Sequence, residues 1–384
     1  MIKNKTILCF ASGYDAPPTG KHHIMHLLEK ENIVLWVNYH ASRTPSASGS
    51  DLSYMAKKLL EIFKGVKKKR KNLYVLTPLV IPLPSSELVK KINRKLLIFQ
   101  IKAVLKKIKK GPLQLWSFTP DISYVLGSFN EERVLYYCVD DHAAFSGYDK
   151  DQVLRDEKEL CEKSDLVLTT STALQKAKKS WNKNTVLVPH GVDFQHFNKA
   201  VTQDLACPEE IKNIPSPKFG FFGLIRDWVD LDLVASAAEK RSDWNFIFIG
   251  DADSNVNLSK YKKFKNIYFL GRKKYDELPF YCRYFDAGLI PFKVNELTFA
   301  VNPIKLREYL SAGLPVISTP MPEVKLYESL VHIVKNTEEF IGACEEILEN
   351  KDEDALGKRS HAMSKETWNQ KLDLICSHIQ SEKT

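Results

Sequence analysis

Residues 302–324 carry the clearest chemical pattern in the chain. They predict a loop, a short helix opening near Ile304, a helix stop at Gly313 and a buried strand, Val316–Ser318. A helix N-terminus at a sheet edge binds anions through its unpaired N–H groups and the positive end of its dipole. Glu308 follows one turn later, where a carboxylate can accept hydrogen bonds from a sugar hydroxyl. The pattern therefore predicts a nucleotide diphosphate site.

The loop before this helix supplies further candidates. We expect Asn302, Ile304 and Lys305 to present backbone N–H groups to the diphosphate. Pro303 has no N–H, which costs little in a first helical turn because that group has no helical partner. The Lys305 ammonium is a candidate phosphate ligand, and an ordinary exposed helix lysine is the alternative.

Asp140 and Asp141 follow an apolar run that predicts a strand, and packing explains carboxylates there poorly. We predict a catalytic role for them, with His142 a weaker candidate. Adjacent strand residues point to opposite faces, so one carboxylate would face the reacting ligand and the other would anchor the loop. The same alternation argues against a hydrolase with two opposed carboxylates.

The first predicted strand–helix loop holds Gly13 and Gly20, where the backbone would approach a phosphate or an acceptor. It contains no GxGxxG, which argues against a dinucleotide oxidoreductase. His22, at the start of the next helix, is predicted to contact phosphate or acceptor. Helix capping or packing is the alternative for His22 and its neighbour His23.

Apolar strand runs alternate with helical segments along the chain, which predicts the α/β class with parallel sheets. The first series ends near residue 195, a proline-containing linker follows at 207–217, and a second series begins at 218. We predict two Rossmann-like domains, residues 1–200 and 201–364, facing across a cleft lined by the carboxyl ends of the strands.

The chain has 384 residues, 44% hydrophobic and 27% charged, as expected for a soluble globular protein with two domains. No apolar run reaches the about 18 residues of a membrane span. The N-terminus lacks a signal-peptide cleavage pattern. The seven cysteines of the chain form no CxxC pair and no metal-ligand spacing. We expect a cytoplasmic protein without a metal site.

Positive charge is concentrated in the first part of the chain. Residues 1–110 hold 22 Lys and Arg against 6 Asp and Glu, a local charge of +16, whereas the whole chain carries +9. Clusters at 64–71, 90–95 and 102–110 flank apolar residues on a predicted helix. This pattern predicts contact with an anionic membrane surface; a solvated helix packed on its own domain is the alternative. The clusters lack a nucleic-acid-binding module, so no nucleic acid partner is predicted.

The chain resembles retaining glycosyltransferases of family 4, which have the GT-B fold, and among them bacterial enzymes of exopolysaccharide, capsule or teichuronic-acid assembly. The resemblance spans nearly the whole sequence. Its motifs are TGKHH at 19–23, YYCVDD at 136–141, PHGVD at 189–193, FGLIRDW at 222–228, FIGD at 248–251, FLGR at 269–272, and the segment 302–324.

The resemblance implies metal-independent sugar transfer from a nucleotide donor held by the second half to an acceptor at the first half. Glu308 matches the second Glu of the family's E-x7-E motif, which binds the donor ribose, but Ala300 replaces the first. Glu296, or else Thr298, is the candidate substitute for that first Glu, which contacts the transferred sugar; of the two, Glu296 is the predicted catalytic residue. Arg226 matches the family's phosphate-binding Arg and would stabilise charge on the leaving group. No Lys follows it, so Lys305 is the candidate second cation.

The same resemblance places Gly250 and Asp251 near the nucleotide pocket and Arg272 near the base. The spacing of Asp251 and Asp253 is that of an Asp-x-Asp metal motif, but its place after a second-half strand favours a structural role. The PHGVD turn, with His190 and Asp193, is expected to be structural. A final helix, at residues 365–384, is expected to cross back to the first domain.

Together these features predict a cytoplasmic glycosyltransferase for bacterial surface polysaccharide, peripheral on the inner membrane face. It would use a UDP- or GDP-sugar and no cofactor, with a sugar or lipid-linked glycan as acceptor. Two alternatives stay open: a non-catalytic GT-B module that binds nucleotide-sugar or a partner, which the change at Ala300 favours, and a nucleotide-sugar epimerase.

Overall fold

The computed structural model describes residues 2–39, 65–81, 87–350 and 353–381. The chain divides into two compact units, residues 1–189 with 372–384 and residues 190–371. The second unit begins at His190, whereas the sequence predicted a boundary at residue 201. The reason is packing: Phe197 is fully buried in the core of the second unit, and His196 Nε2 lies 3.0 Å from the Tyr275 carbonyl oxygen.

The first unit is built on an eight-stranded sheet in the order β3-β4-β2-β1-β5-β6-β7-β8. All neighbours are parallel except β3 and β4. The central strands β1 and β5 are buried along their whole length because helices cover both faces of such sheets. The strands are β1 (Thr6–Ala11), β2 (Ile33–Asn38), β3 (Val66–Lys68), β4 (Leu73–Leu76), β5 (Leu113–Ser117), β6 (Glu131–Cys138), β7 (Leu166–Thr169) and β8 (Thr185–Leu187).

Four helices of the described residues accompany this sheet: α1 (Gly20–Leu28), α2 (Glu87–Ile108), α3 (Lys150–Lys163) and α4 (Thr172–Lys179). A buried ion pair joins two of them, with Lys178 Nζ 2.6 Å from Glu157 Oε2. The Tyr136 hydroxyl donates to the other oxygen of Glu157 at 2.7 Å. These bonds tie α3 and α4 to β6, the strand that leads to Asp140 and Asp141.

The second unit has a six-stranded, fully parallel sheet in the order β11-β10-β9-β12-β13-β14. The strand order reverses between β9 and β12, the place where open α/β sheets bind ligands. The strands are β9 (Lys218–Phe222), β10 (Asn245–Ile249), β11 (Ile267–Phe269), β12 (Ala287–Ile290), β13 (Val316–Ser318) and β14 (Val331–Ile333). Phe219, Phe221, Phe246 and Phe248 fill the core between β9, β10 and the helices.

The helices of the second unit are mostly short, and two longer ones, α8 and α13, pack on one another. They are α5 (Phe194–Phe197), α6 (Lys199–Thr202), α7 (Glu209–Lys212), α8 (Leu231–Lys240), α9 (Leu278–Arg283), α10 (Glu296–Phe299), α11 (Ile304–Ser311), α12 (Pro322–Lys325), α13 (Thr337–Glu349) and α14 (Glu353–Met363). The last helix, α15 (Trp368–Ser381), leaves this unit, since residues from 372 onward belong to the first.

The structure confirms the predicted α/β class and the predicted strand Val316–Ser318. The sequence missed β3, a short edge strand within the basic cluster 64–71. The helix predicted from His22 begins at Gly20. Among the described residues, no helix is long and apolar enough to cross a bilayer.

Candidate active site

Two glycines let the ends of β9 and β10 meet closely. Gly223 N donates to the Ile249 carbonyl at 2.8 Å, and Gly250 N donates to the Gly271 carbonyl at 2.9 Å. Their φ angles are 137° and 150°, a backbone conformation that side chains disfavour. A Cβ on Gly250 would lie 2.8 Å from the carbonyl carbon of Gly223 and nearer still to its oxygen. The result is a bare backbone surface at the strand ends.

Lys305, the second residue of α11, points its ammonium at this surface. Its Nζ lies 5.5 Å from the ring centroid of Phe221 and 6.0 Å from that of Phe292. A Cβ on Gly223 would lie 2.6 Å from Nζ. The structure therefore places a cation at the end of β9, beside the N-terminus of α11.

Tyr309 holds α11 in this position. Its hydroxyl accepts a hydrogen bond from Phe222 N at 3.0 Å. Its ring packs on Gly288 of β12, where a Cβ would come within 2.7 Å of the ring carbons. The helix start is thereby fixed between β9 and β12, where the order of the strands reverses.

Glu308 lies one turn into α11 and is only 5% exposed. Burial raises its pKa to about 7, with Lys305 acting to lower it and Asp193 to raise it further. The pKa of Tyr275 is raised mainly by burial and further by the negative charges of Glu308 and Asp193. The charge of Asp193 thus acts on Glu308, and the charges of both carboxyl groups act on Tyr275. Asp193, expected to be structural, does cap α5 by accepting from His196 N at 3.3 Å, but its charge also reaches the site.

A buried polar cluster fixes the loop before α11. Arg307 donates to Asn302 Oδ1 at 2.7 Å and to the Tyr327 hydroxyl at 2.8 Å, and Asn302 Nδ2 donates to Glu323 Oε2 at 3.0 Å. Pro303 is the N-cap residue, and Ile304 opens the helix. Sequence reasoning missed Arg307, a cation between Leu306 and Glu308. In the sequence, the only indication of this role is a charged residue between Leu306 and Glu308 in a predicted helix.

Arg226 is held by two neighbours. Its Nε lies 3.3 Å from Asp253 Oδ2, and its guanidinium lies 5.2 Å from the ring centroid of Trp228. Ile225 forms a bridge with Ala252. Ile225 N donates to the Asp251 carbonyl, and Asp253 N donates to the Ile225 carbonyl, both at 2.9 Å. The segment 251–253 is thus a structural extension in which Asp253 orients Arg226, a role that the sequence did not predict.

Three further predicted residues of the second unit lie at exposed positions. The Asp251 and Arg272 side chains are exposed, and Asp251 contributes its carbonyl to the pairing with Ile225. Glu296 is the exposed first residue of α10, whereas Ala300, in the place of the family's first Glu, is buried at the end of that helix. Glu296 therefore stands one helical turn before the position it was predicted to replace.

In the first unit the two strand-end aspartates have different surroundings. Asp141 accepts from Ala143 N at 3.2 Å and caps the turn His142–Ala144. Asp140 lies near Lys21: burial lowers the pKa of Lys21, while Cys9 and Asp140 act to raise it. Lys21 also donates to Ser12 Oγ at the end of β1. The sequence analysis missed Lys21, whose pKa responds to the charge of Asp140.

His22 has a local role that differs from the predicted ligand role. It is 3% exposed; its Nδ1 accepts from Thr19 N at 3.1 Å, and its Nε2 lies 3.0 Å from the Tyr14 carbonyl. Burial lowers its pKa to about 3. With both ring nitrogens engaged, His22 caps α1. Gly20, buried, opens α1, and Gly13 lies exposed in the preceding loop.

Comparison with known proteins places these features in a family context. Residues 216–350 match the family model described as glycosyl transferases group 1. The Bacillus subtilis (strain 168) protein TuaH, provisionally named a teichuronic acid biosynthesis glycosyltransferase, is 26% identical over 276 residues, 66% of this chain and 68% of TuaH.

Two solved structures share the fold over almost the whole chain. Anabaena HepE in complex with UDP matches with 14% identity, 98% of this chain, 100% of that chain and a TM-score of 0.66. Sucrose-phosphate synthase from Thermosynechococcus elongatus matches with 14% identity, 98% of both chains and a TM-score of 0.70. The chain therefore has the GT-B fold with two parallel-sheet domains, and its residues 216–350 match the glycosyl transferases group 1 family model.

Proposed function

We propose that this protein transfers a sugar from a nucleotide diphosphate donor to an acceptor hydroxyl, with retention of anomeric configuration. The observation that carries the proposal is the start of α11, which brings Lys305 to the glycine-lined end of β9 and buries Glu308 one turn later. Lys305 and the helix N-terminus suit a diphosphate, and Glu308 suits the ribose hydroxyls.

The proposed reaction needs no covalent nucleophile, cofactor or metal. As the glycosidic bond breaks, negative charge grows on the leaving diphosphate, where Arg226 and Lys305 stabilise it. The leaving phosphate accepts the proton of the attacking hydroxyl on the same face of the sugar, which keeps the configuration. Asp140 is proposed to contact the sugar or the acceptor, and Glu296 to supply the contact that Ala300 cannot make.

A UDP-sugar is the first donor to test, with a GDP-sugar second. HepE, which shares the fold, was crystallised with UDP and with UDP-glucose. The acceptor is proposed to be a lipid-linked glycan of a bacterial surface polysaccharide, since the relative TuaH carries a name from teichuronic acid biosynthesis. The enzyme would then work on the inner face of the cell membrane.

A non-catalytic GT-B module that only binds nucleotide-sugar is the second candidate. The buried Ala300, in place of a carboxylate that contacts the sugar in family members, favours it. Such a module would bind donor without consuming it, which separates it from a transferase.

The first test is thermal unfolding of the full chain with UDP-, GDP-, ADP- and dTDP-sugars. A donor at a hundred times its Kd should add about 2.7 kcal/mol of stability. We expect a shift with one nucleotide class, lost in Glu308→Ala and kept in the control Glu349→Ala, an exposed residue of α13. Absence of a shift with every nucleotide-sugar would contradict the donor site.

Turnover of the identified donor then distinguishes the mechanisms. Release of nucleotide with a new glycosidic bond, unchanged by EDTA, supports metal-independent transfer. Binding without release supports the non-catalytic module, and altered donor sugar without acceptor indicates an epimerase.

A further inference from the structure

Helix α2 has two apolar faces, and among the described residues only one of them is buried. Leu97, Ile101, Val104 and Leu105 are buried against the first unit. On the opposite side Leu88, Ile92 and Phe99 are 68%, 39% and 73% exposed. At 100° per residue these three side chains fall within about 40° of one another. A helix that packs on one face needs only one apolar stripe, so the second stripe calls for another contact.

Lysines share this outer face. Lys91, Lys95, Lys102 and Lys106 are exposed and lie at helical spacings between and beside the three apolar residues. Within the described part of the chain, none of these four lysines forms an ion pair. Large apolar groups with cations between them match the boundary of an anionic bilayer, where rings enter the acyl region and ammonium groups meet phosphates.

The neighbouring segment extends the same surface. Leu79 and Ile81, 42% and 36% exposed, are held alongside α2 by paired hydrogen bonds to the side chains of Gln100 and Asn93. The Arg94 Nε anchors the helix from the other side by donating to the Tyr124 carbonyl at 2.6 Å. The outer face is thus presented by a rigid helix.

A cavity of about 490 Å³ lies at the C-terminal end of this helix. Lys102, Lys106 and Lys109 line it together with the apolar residues Leu105 and Phe129. Its lining contains no acidic side chain, so it suits the phosphate of a lipid head group. Lys102 and Lys106 belong both to the cavity and to the outer face of α2, so the two form one continuous surface.

We propose that this outer face of α2, with the cavity at its end, docks the protein on an anionic phospholipid bilayer. Leu88 and Phe99 are eleven residues apart, which is about 16 Å along a helix, so α2 would lie flat on the surface. The proposal deepens the proposed function by specifying how the enzyme reaches a lipid-linked acceptor, and it rests on that function for its biological meaning.

The test is flotation of the full chain with vesicles of phosphatidylcholine mixed with phosphatidylglycerol, and with vesicles of phosphatidylcholine alone. We expect binding to the mixed vesicles only. Replacing Lys91 and Lys95 together by Gln should weaken partitioning about 30-fold, since each lysine near an anionic surface contributes about 1 kcal/mol. Phe99→Asp should abolish binding, and binding should weaken between about 0.1 M and 1 M salt as the Debye length falls.

Matched controls carry the same substitutions on other surfaces. Leu326→Asp changes an apolar residue that is 69% exposed in the second unit, and Lys176→Gln with Lys179→Gln changes two exposed lysines of α4. Both controls should bind vesicles as the wild type does. Thermal unfolding with the donor should be unchanged in Phe99→Asp, which separates this surface from the donor site.

Three outcomes would overturn the proposal. The first is a wild-type protein that does not float with anionic vesicles. The second is a Phe99→Asp variant that floats as the wild type does. The third is a wild-type dimer that does not bind vesicles and that Phe99→Asp dissociates, which would assign the face to a second copy of the chain. Flotation without any response to nucleotide-sugars would leave the docking surface standing and remove the proposed function.

Discussion

The ammonium of Lys305 occupies the space beside Gly223 that a larger residue would need. A Cβ at position 223 would lie 2.6 Å from Nζ, and the φ of Gly223 is 137°. The absence of a side chain at one residue therefore makes room for the charge of another, although the two are 82 positions apart in the chain. This relationship joins the end of β9 to the start of α11.

Gly223→Ala should displace Lys305 and strain the backbone. We expect a loss of about 1–3 kcal/mol of unfolding free energy from the disfavoured φ and at least tenfold weaker UDP binding from the displaced ammonium. Denaturant unfolding and calorimetric titration with UDP measure the two effects. The control is Gly342→Ala in α13, where a Cβ meets nothing within 4 Å. UDP binding of wild-type strength in Gly223→Ala would contradict the assignment of Lys305.

The raised pKa of Glu308, about 7 against 4.5 for an ordinary Glu, should make stability depend on pH. Between these two values the folded state holds a proton that the unfolded state has lost, so unfolding free energy falls as pH rises through this window. Relative to the wild type, Glu308→Gln should gain up to about 3 kcal/mol above pH 7. The gain should vanish below about pH 4.5.

Urea unfolding at a series of pH values measures this difference. The difference in unfolding free energy between the wild type and Glu308→Gln cancels the contributions of the other titrating groups, including the buried histidines. Glu349→Gln, an exposed control, should change the free energy by less than about 0.5 kcal/mol at each pH. Parallel curves for wild type and Glu308→Gln from pH 5 to pH 8 would show that the carboxyl is not desolvated.

Arg307→Lys should loosen the loop before α11. A single ammonium cannot keep the two directed bonds to Asn302 and Tyr327, so a buried acceptor is left without its donor. We expect a loss of about 1–3 kcal/mol of unfolding free energy and weaker UDP binding, although Arg307 is not placed on the donor itself. The control is Arg155→Lys, an exposed residue of α3, which should change the free energy by less than about 0.5 kcal/mol. Unchanged UDP affinity in Arg307→Lys would show that the loop does not depend on this cluster.

His22→Ala should lower stability and leave donor affinity intact. Losing a helix-capping side chain costs about 1 kcal/mol, and the buried ring leaves a cavity in addition. Thermal unfolding with and without UDP measures both quantities. The opposite pattern, with weaker UDP binding at unchanged stability, would restore the predicted ligand role of His22.

The sequence alone determined the strands, the two α/β series and the helix that begins near Ile304. These depend on local patterns, because apolar runs, proline and glycine act over a few residues. Lys305 and Glu308 were identifiable for the same reason, since both belong to one helical turn. A cationic, apolar helix between residues 90 and 110 was also predictable from its composition alone.

Only the tertiary structure decided which side chains act together. Asp253 orients Arg226 from a different strand end, and Arg307 anchors a loop through Asn302 and Tyr327. It also decided which face of α2 stays exposed, because that depends on what the rest of the domain covers. Such pairings have no local signal: they arise when parallel strands bring distant loops to one edge of a sheet.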